Sequence, residues 1–408
     1  MSRILCVWEL GSGYGHLGRF LPVALRLRER GHEVVFALRD LSRAEMFLGR
    51  HGFALLQAPV WLPENVGPPV PANYAEMLSS FGFLDRGGLA GMVKAWRQLY
   101  QITEPGLLLI DHGPTALVAA RGTRIRRALI GTGFESPPRL SPMPPLRPWQ
   151  RVPEERLIES EQRVLLTINS VLGDLGLEPL QTLADLFDVE EDFLCTFPEL
   201  DHFPQRHEAR YWGPIFASDE GVTPAWPSGA SERVFAYLYP RYQDFDKVVE
   251  QLKALPYRTL IHAPGLSAKQ IKKYEARHLT FSPEPVRITE ASRECDLVIC
   301  HGGHGTVAAS LLAGRPVLVL HVHLEQLLLA NNIVSLGLGK TVNPESKSPN
   351  YRQLVREALT ESECAERARR FATKYADFSL GKQLDAIATR CEEIIEGKPA
   401  SSSERSPE

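Results

Sequence analysis

The chain is predicted to fold as two doubly wound α/β domains that face each other across a cleft. Three observations predict this. The first third alternates apolar runs with amphipathic stretches in the order strand, helix, strand. Residues 232–375 repeat that alternation, and residues 215–231, IFASDEGVTPAWPSGAS, carry the glycine, proline and serine of a linker between them. A length of 408 residues also exceeds what a single hydrophobic core ordinarily spans.

The elements follow in order. Residues 3–10, RILCVWEL, read as a strand, 11–16, GSGYGH, as a glycine-rich turn, and 17–31 as an amphipathic helix stopped by Gly31. HEVVFAL at 32–38 is the next strand, and the resulting βαβ unit implies a parallel sheet. Strands are also expected at 106–111, GLLLID, ending on Asp111, and at 127–134, RALIGTGF. The prolines of 136–153 exclude regular helix or sheet interior, and with Phe134 and Trp149 they read as an ordered loop over a site. Helix returns over 154–176 and 178–187. The second half reads as strand 233–239, helix 244–255, strand 258–263, strand or loop near 279–288, strand 296–301, helix 305–313, strand 316–321 and helix 325–336. Ligands of such sheets sit at the carboxyl ends of the strands, so the site is expected in the cleft.

Composition narrows the function. The formal net charge of −3 argues against nucleic acid as the main partner, since phosphate backbones are bound by clustered Lys and Arg. The basic run RGTRIRR at 121–127 reads as a solvated helix end or edge strand. Six cysteines without a CxxC pair point to reduced thiols and a cytoplasmic protein. No stretch approaches the roughly 20 apolar residues that cross a bilayer, and the start MSRILCVWELGSGYGH lacks a signal-peptide pattern. The polar end GKPASSSERSPE reads as a disordered tail, placed at 396–408.

Chemistry concentrates in HGGHGTVAASLLAGRP at 301–316, directly after the apolar CDLVIC. Glycines at a strand end let a backbone approach closely, and the amides and positive end of the following helix suit an anion such as a diphosphate. A tight turn with no ligand has the same spacing, and no Lys-Ser or Lys-Thr follows to make a P-loop.

The run HGGHGTVAASLLAGRPVLVLHVHLEQLLLANNIVSLGLG resembles the nucleotide-sugar signature of the glycosyltransferase family 1 enzymes with the GT-B fold, HGGxGTxxEALxxGxPxxxxPxxxDQxxNAxxxxxxGxG. GYGHLGRFLPVALRLRERGHEVVFA is similar to that family's N-terminal GHxxPxxxLAxxLxxRGHxVxF segment. INSVLGDLGLEPL and FPELDHFPQRHEARYWGPI resemble its inter-domain region. The resemblance implies an acceptor-binding domain at 1–217, a linker at 218–231, a nucleotide-sugar domain at 232–375, and a helix at 376–395 that packs back on the first domain. It implies that His301, Gly302, Gly303, His304, Gly305 and Thr306 bind the donor diphosphate, that Glu325 and Gln326 bind the donor sugar, and that Tyr239, Val286, Arg287 and Ile288 meet the nucleoside. Gly13 and Gly15 form a donor loop, while Phe134 and Trp149 wall the acceptor pocket. His16 matches the catalytic base and Asp111 the acid that orients it.

The implied reaction is an inverting, metal-independent sugar transfer to a hydroxyl of a hydrophobic or aromatic small molecule. The nucleotide sugar is a co-substrate, no cofactor or metal is expected, and the chain would be a monomer or homodimer. Departures from the pattern refine this. Ala309 stands where the family has a ribose-binding Glu, which favours dTDP over UDP as donor. Tyr239 and Pro240 replace a Gly-Ser beside the phosphates, so a phosphate contact is made differently or lost. His304 either adds a cationic donor or faces outward. His301, His304, His321 and His323 end two neighbouring strands with a spacing open to zinc, although no carboxylate or cysteine completes a set. The missing Glu and Gly-Ser also fit a non-catalytic homologue, and the fold fits a nucleotide-sugar epimerase.

Overall fold

The computed structural model describes residues 1–63, 67–68, 70–203, 206, 209–216 and 221–399; positions 217–220 of the expected linker and 400–408 of the expected tail lie outside the described residues. The chain divides into two compact units. Met1–Phe197, Phe203–Gly213 and Leu380–Glu408 make the first, and Pro198–His202 with Pro214–Ser379 the second.

Unit 1 runs β1 (Arg3–Trp8), α1 (Gly15–Glu29), β2 (Glu33–Leu38), α2 (Leu41–Leu48), β3 (Ala54–Gln57), α3 (Tyr74–Ser79), α4 (Arg86–Thr103), β4 (Leu107–Asp111), α5 (Pro114–Ala120), β5 (Arg126–Gly131), α6 (Glu154–Asp174) and β6 (Glu191–Leu194). Its six strands are all parallel in the order β3-β2-β1-β4-β5-β6. Helices cover both faces, which is why β1 and β4 are buried nearly throughout and read as unbroken apolar runs. One side of the sheet packs Leu5, Val7, Leu108 and Ile110 against Phe83, Val93 and Trp96 of the helical layer.

Unit 2 repeats the plan with β7 (Arg233–Tyr237), α7 (Phe245–Lys253), β8 (Arg258–His262), α8 (Ala268–Tyr274), β9 (Leu279–Ser282), α9 (Ile288–Glu294), β10 (Leu297–Cys300), α10 (His304–Leu312), β11 (Val317–Val319), α11 (Leu324–Ser335), β12 (Gly339–Thr341), α12 (Tyr351–Thr360) and α13 (Ser362–Lys374). The order β12-β11-β10-β7-β8-β9 is again fully parallel. In both sheets the strand order reverses beside the first strand, the position where open α/β sheets carry their ligands. Sequence periodicity underestimates the helices: α2, α3, α4, α5, α8, α9, α12 and α13 have no counterpart among the expected elements, and of the helix expected at 178–187 only Leu183–Phe187 forms, as a 3₁₀ turn.

α14 (Leu380–Ile395) returns to unit 1. It buries Ile387, Ala388, Cys391 and Ile394, and Arg30 of the α1 C-terminus reaches Asp385 at 3.1 Å and Glu392 at 2.9 Å. The described part of the expected linker is laid on unit 2. Val222 N–H donates to Pro285 O at 2.8 Å and Arg287 N–H to Val222 O at 3.0 Å. The proline-rich loop is likewise tied down within unit 1, with Met143 N–H on Glu161 at 3.0 Å and Leu146 N–H on Ala72 O at 2.7 Å. All six cysteines are free and buried. No helix among the described residues is long and apolar enough to cross a membrane.

Candidate active site

In unit 1 the register pairs Trp8 of β1 with Asp111 of β4, so both carboxyl ends lie side by side at the reversal point. His16, on the first turn of α1, lies with its Nδ1 2.9 Å from Asp111 Oδ1. The Trp8 ring stacks on the imidazole with centroids 4.9 Å apart. Gly11 leaves the room: at φ +86° it favours glycine, and a Cβ there would stand 2.7 Å from His16 Nε2. Gly13 and Gly15, the expected donor loop, have open space where a Cβ would be.

Three further charged or polar groups crowd this pair. Arg19 Nη1 donates to Asp111 Oδ2 at 2.5 Å, and its Nη2 stands 3.8 Å from Glu135 Oε1. Glu135 in turn accepts the Thr132 N–H at 3.1 Å. His112 has a left-handed backbone, φ 50°, and a buried Nε2 with no hydrogen-bond partner. Burial pulls the His16 proton affinity down, but the Asp111 charge and hydrogen bond outweigh it, so the net shift is upward. Glu135 is opposed by burial yet held at about 2 by Arg19, His16 and His112. Burial lowers His112 to about 4. Among the described residues, His16, Asp111 and Glu135 are the group of acidic and imidazole ligand atoms close enough to hold a metal ion. The Arg19 guanidinium already supplies the positive charge at those two carboxylates.

In unit 2 the same logic brings β7 beside β10. His301 follows β10, and its ring is fully committed. Nδ1 lies 2.7 Å from Leu320 O, and Nε2 accepts the Tyr239 N–H at 2.8 Å. Such a ring is a neutral imidazole with a fixed tautomer, lowered to about 4 chiefly by burial. The Tyr239 ring stacks on it at 4.4 Å. This corrects the expectation of a diphosphate contact through the His301 side chain: both nitrogens are spent inside the fold. It also shows where the Tyr239 amide goes in place of a phosphate.

The turn itself keeps its predicted character. Gly302 has φ +78° and a Cβ there would meet Val319 Cγ1 at 2.9 Å. Gly303 is the N-cap of α10 with no side chain capping it, so the first-turn amides of Gly305 and Thr306 lack intrahelical partners. His304 is buried, 8% exposed, which removes the outward-facing alternative. Glu325 lies in the first turn of α11. Gln326 is buried and its Oε1 accepts the Val322 N–H at 2.8 Å. Arg287 is held by Glu290, Gly221 O and Thr223, while Val286 bridges to Val222 and Ile288 opens α9.

No protein-family model matches the chain. An uncharacterized glycosyltransferase from Methanosarcina acetivorans is 32% identical over 387 residues, covering 88% of this chain and 89% of its own length. The chain belongs to the family 1 glycosyltransferases. Solved structures agree on the GT-B fold. The glycosyltransferase of kitacinnamycin superposes with a TM-score of 0.71 at 21% identity, covering 96% of this chain and 99% of its own. SsfS6 from Streptomyces sp. SF2575, complexed with thymidine diphosphate, does so with a TM-score of 0.64 at 19% identity, covering 96% and 100%.

This glycosyltransferase therefore brings together His16 and Asp111 within unit 1, and His301 to Thr306 with Tyr239 within unit 2. Phe134 is buried and Trp149 is 49% exposed, and a cavity of about 10 Å³ beside Glu135, room for roughly one water, is lined by Tyr74, His112 and Phe187 among others. The four histidines expected as a zinc alternative do not converge. Arg19, Glu135 and Gly11 escaped sequence reading. Arg19 had a signal: it occupies the proline position of the GHxxP pattern and lies three residues after His16, on the same helix face.

The two depressed histidines make the glycosyltransferase acid-sensitive. His112 and His301 stay neutral in the folded chain down to about 4, whereas an unfolded histidine takes up its proton near 6.5. Stability is therefore lost as pH falls from about 6.5 toward 4, by on the order of 3 kcal/mol for each ring. Urea midpoints measured between pH 7 and 4.5 should decline, and more shallowly in His112→Asn, which tolerates the positive φ. An equal decline in the variant would remove His112 from the account.

Proposed function

We propose that the enzyme is an inverting, metal-independent glycosyltransferase that moves a sugar from a dTDP-sugar to a hydroxyl of a hydrophobic or aromatic small molecule. The observation that carries this reading is His16 Nδ1 at 2.9 Å from Asp111. In this reading the Asp111 carboxylate beside Nδ1 favours the proton on that nitrogen, which leaves the Nε2 lone pair for the acceptor. Nε2 takes the hydroxyl proton as the acceptor oxygen bonds to the anomeric carbon from the face opposite the diphosphate. The bond from that carbon to the diphosphate oxygen breaks, and dTDP leaves with the electron pair. The proton ends on an imidazolium whose charge Asp111 offsets.

Unit 2 holds the donor in this reading. The α10 N-terminus, opened by Gly302 and Gly303, directs amides and the helix dipole at the diphosphate, which supports charge neutralisation without a metal. Gln326 Nε2 and Glu325 meet sugar hydroxyls. Ala309 is buried, 3% exposed, and brings no carboxylate to a ribose, which supports a deoxyribose donor. A structural neighbour crystallised with thymidine diphosphate supports the same choice.

Thermal unfolding with dTDP, UDP and GDP tests the donor. Saturation at about 100 times Kd adds roughly 2.7 kcal/mol to the folded state, so dTDP should raise Tm by several degrees and more than UDP at equal concentration. A rise with GDP alone would overturn the donor assignment.

A further inference from the structure

A His-Asp pair needs one carboxylate, yet this site buries two and sets a guanidinium between them. Arg19 comes from α1, three residues after His16, and is 6% exposed. It donates to the Asp111 oxygen that His16 does not use, at 2.5 Å, and faces Glu135 at 3.8 Å. The groups around the imidazole are Asp111 from β4, Arg19 from α1, Glu135 and His112 from the loops after β5 and β4, and the Trp8 ring from β1. Cys195, after β6, lies near Arg19 as a neutral thiol. With His112 neutral, Asp111, Arg19 and Glu135 sum to a single negative charge, so the cluster balances when His16 gains a proton.

We infer that Arg19 and Glu135 are positioning residues, an ion pair added to the His16–Asp111 dyad that fixes how tightly His16 holds the acceptor's proton. Arg19 draws part of the Asp111 charge away from the imidazole, and Glu135 returns part of it. Neither touches a substrate; both act through His16 and Asp111. This inference rests on the reading of His16 as the base. The two carboxylates and the guanidinium make opposite electrostatic demands, so opposite effects on one histidine are its signature.

The test is the titration of His16 by NMR on histidine-labelled full-length enzyme, with His16→Ala giving the assignment, beside the pH profile of kcat/KM. Arg19→Gln leaves two buried carboxylates at the ring and should move the His16 midpoint and the acid limb upward by about one pH unit. Glu135→Gln should move both downward, and Arg19→Lys, which keeps the charge, should stay close to the parent. If Arg19→Gln does not fold, the double variant Arg19→Gln/Glu135→Gln is compared with Glu135→Gln alone and should titrate above it. Shifts in the same direction, or none, overturn the inference. Opposite NMR shifts with an unmoved kcat/KM profile would instead sustain the ion-pair assignment and remove His16 from the role of base.

Discussion

His16→Ala is expected to lower kcat/KM for transfer by about 10²–10⁴-fold, the contribution of a positioned general base, while dTDP still raises Tm as in the parent. The separation follows from the fold: His16 belongs to unit 1 and the glycine turn at 301–306 to unit 2. Removing the imidazole leaves the α10 amides untouched. The parent's activity should fall as pH drops through a value above the ordinary histidine 6.5, because Asp111 outweighs burial and holds the His16 proton more tightly. The same upward shift contributes stability that is present in full below 6.5 and is lost as pH rises through the folded value, so across that window activity rises while this contribution fades. Turnover retained in His16→Ala would end the assignment of the base, and lost dTDP binding would mean that the substitution damaged more than the base.

Asp111→Asn is expected to reduce both activity and stability. Activity should fall by roughly 10³–10⁴-fold, since the imidazolium loses its countercharge and the Nδ1–H tautomer its anchor. Stability should fall because Arg19, 6% exposed, keeps its charge and loses its closest partner. Breaking a buried pair from one side costs about 3–5 kcal/mol. The low end is expected here, as Glu135 still stands 3.8 Å from the guanidinium. Urea unfolding measures the second effect and steady-state kinetics the first. A variant as stable as the parent would show that Arg19 does not depend on Asp111, and a variant with full activity would remove Asp111 from the site.

The features legible in the sequence are those that a short stretch of chain enforces by itself. A parallel strand covered on both faces must be apolar along its length, and RILCVW, LLLID and LVIC show it. A strand that must turn sharply into a helix needs left-handed glycine, and Gly302 marks that turn. Asp111 and His16 are legible through the resemblance, since each matches a residue of the glycosyltransferase family 1 pattern at the end of a predicted strand or turn.

What the sequence could not contain was which of several similar groups a distant segment would use. Arg19 reads as one more basic residue of an amphipathic helix until β4 places Asp111, 92 positions away, at 2.5 Å. His301 reads as a ligand until Leu320 O and the Tyr239 amide take both of its nitrogens. Gly11 reads as one more glycine of the turn until the fold sets it against His16, where a Cβ would stand 2.7 Å from Nε2. Sequence by itself determined the two sheets and the glycine turn, because backbone preference and the burial of neighbouring residues are local, and it pointed to His16 and Asp111 through resemblance to a family pattern. Tertiary structure alone decided how each charge is balanced, because electrostatic energy in a buried site depends on distances of a few ångströms between segments far apart along the chain.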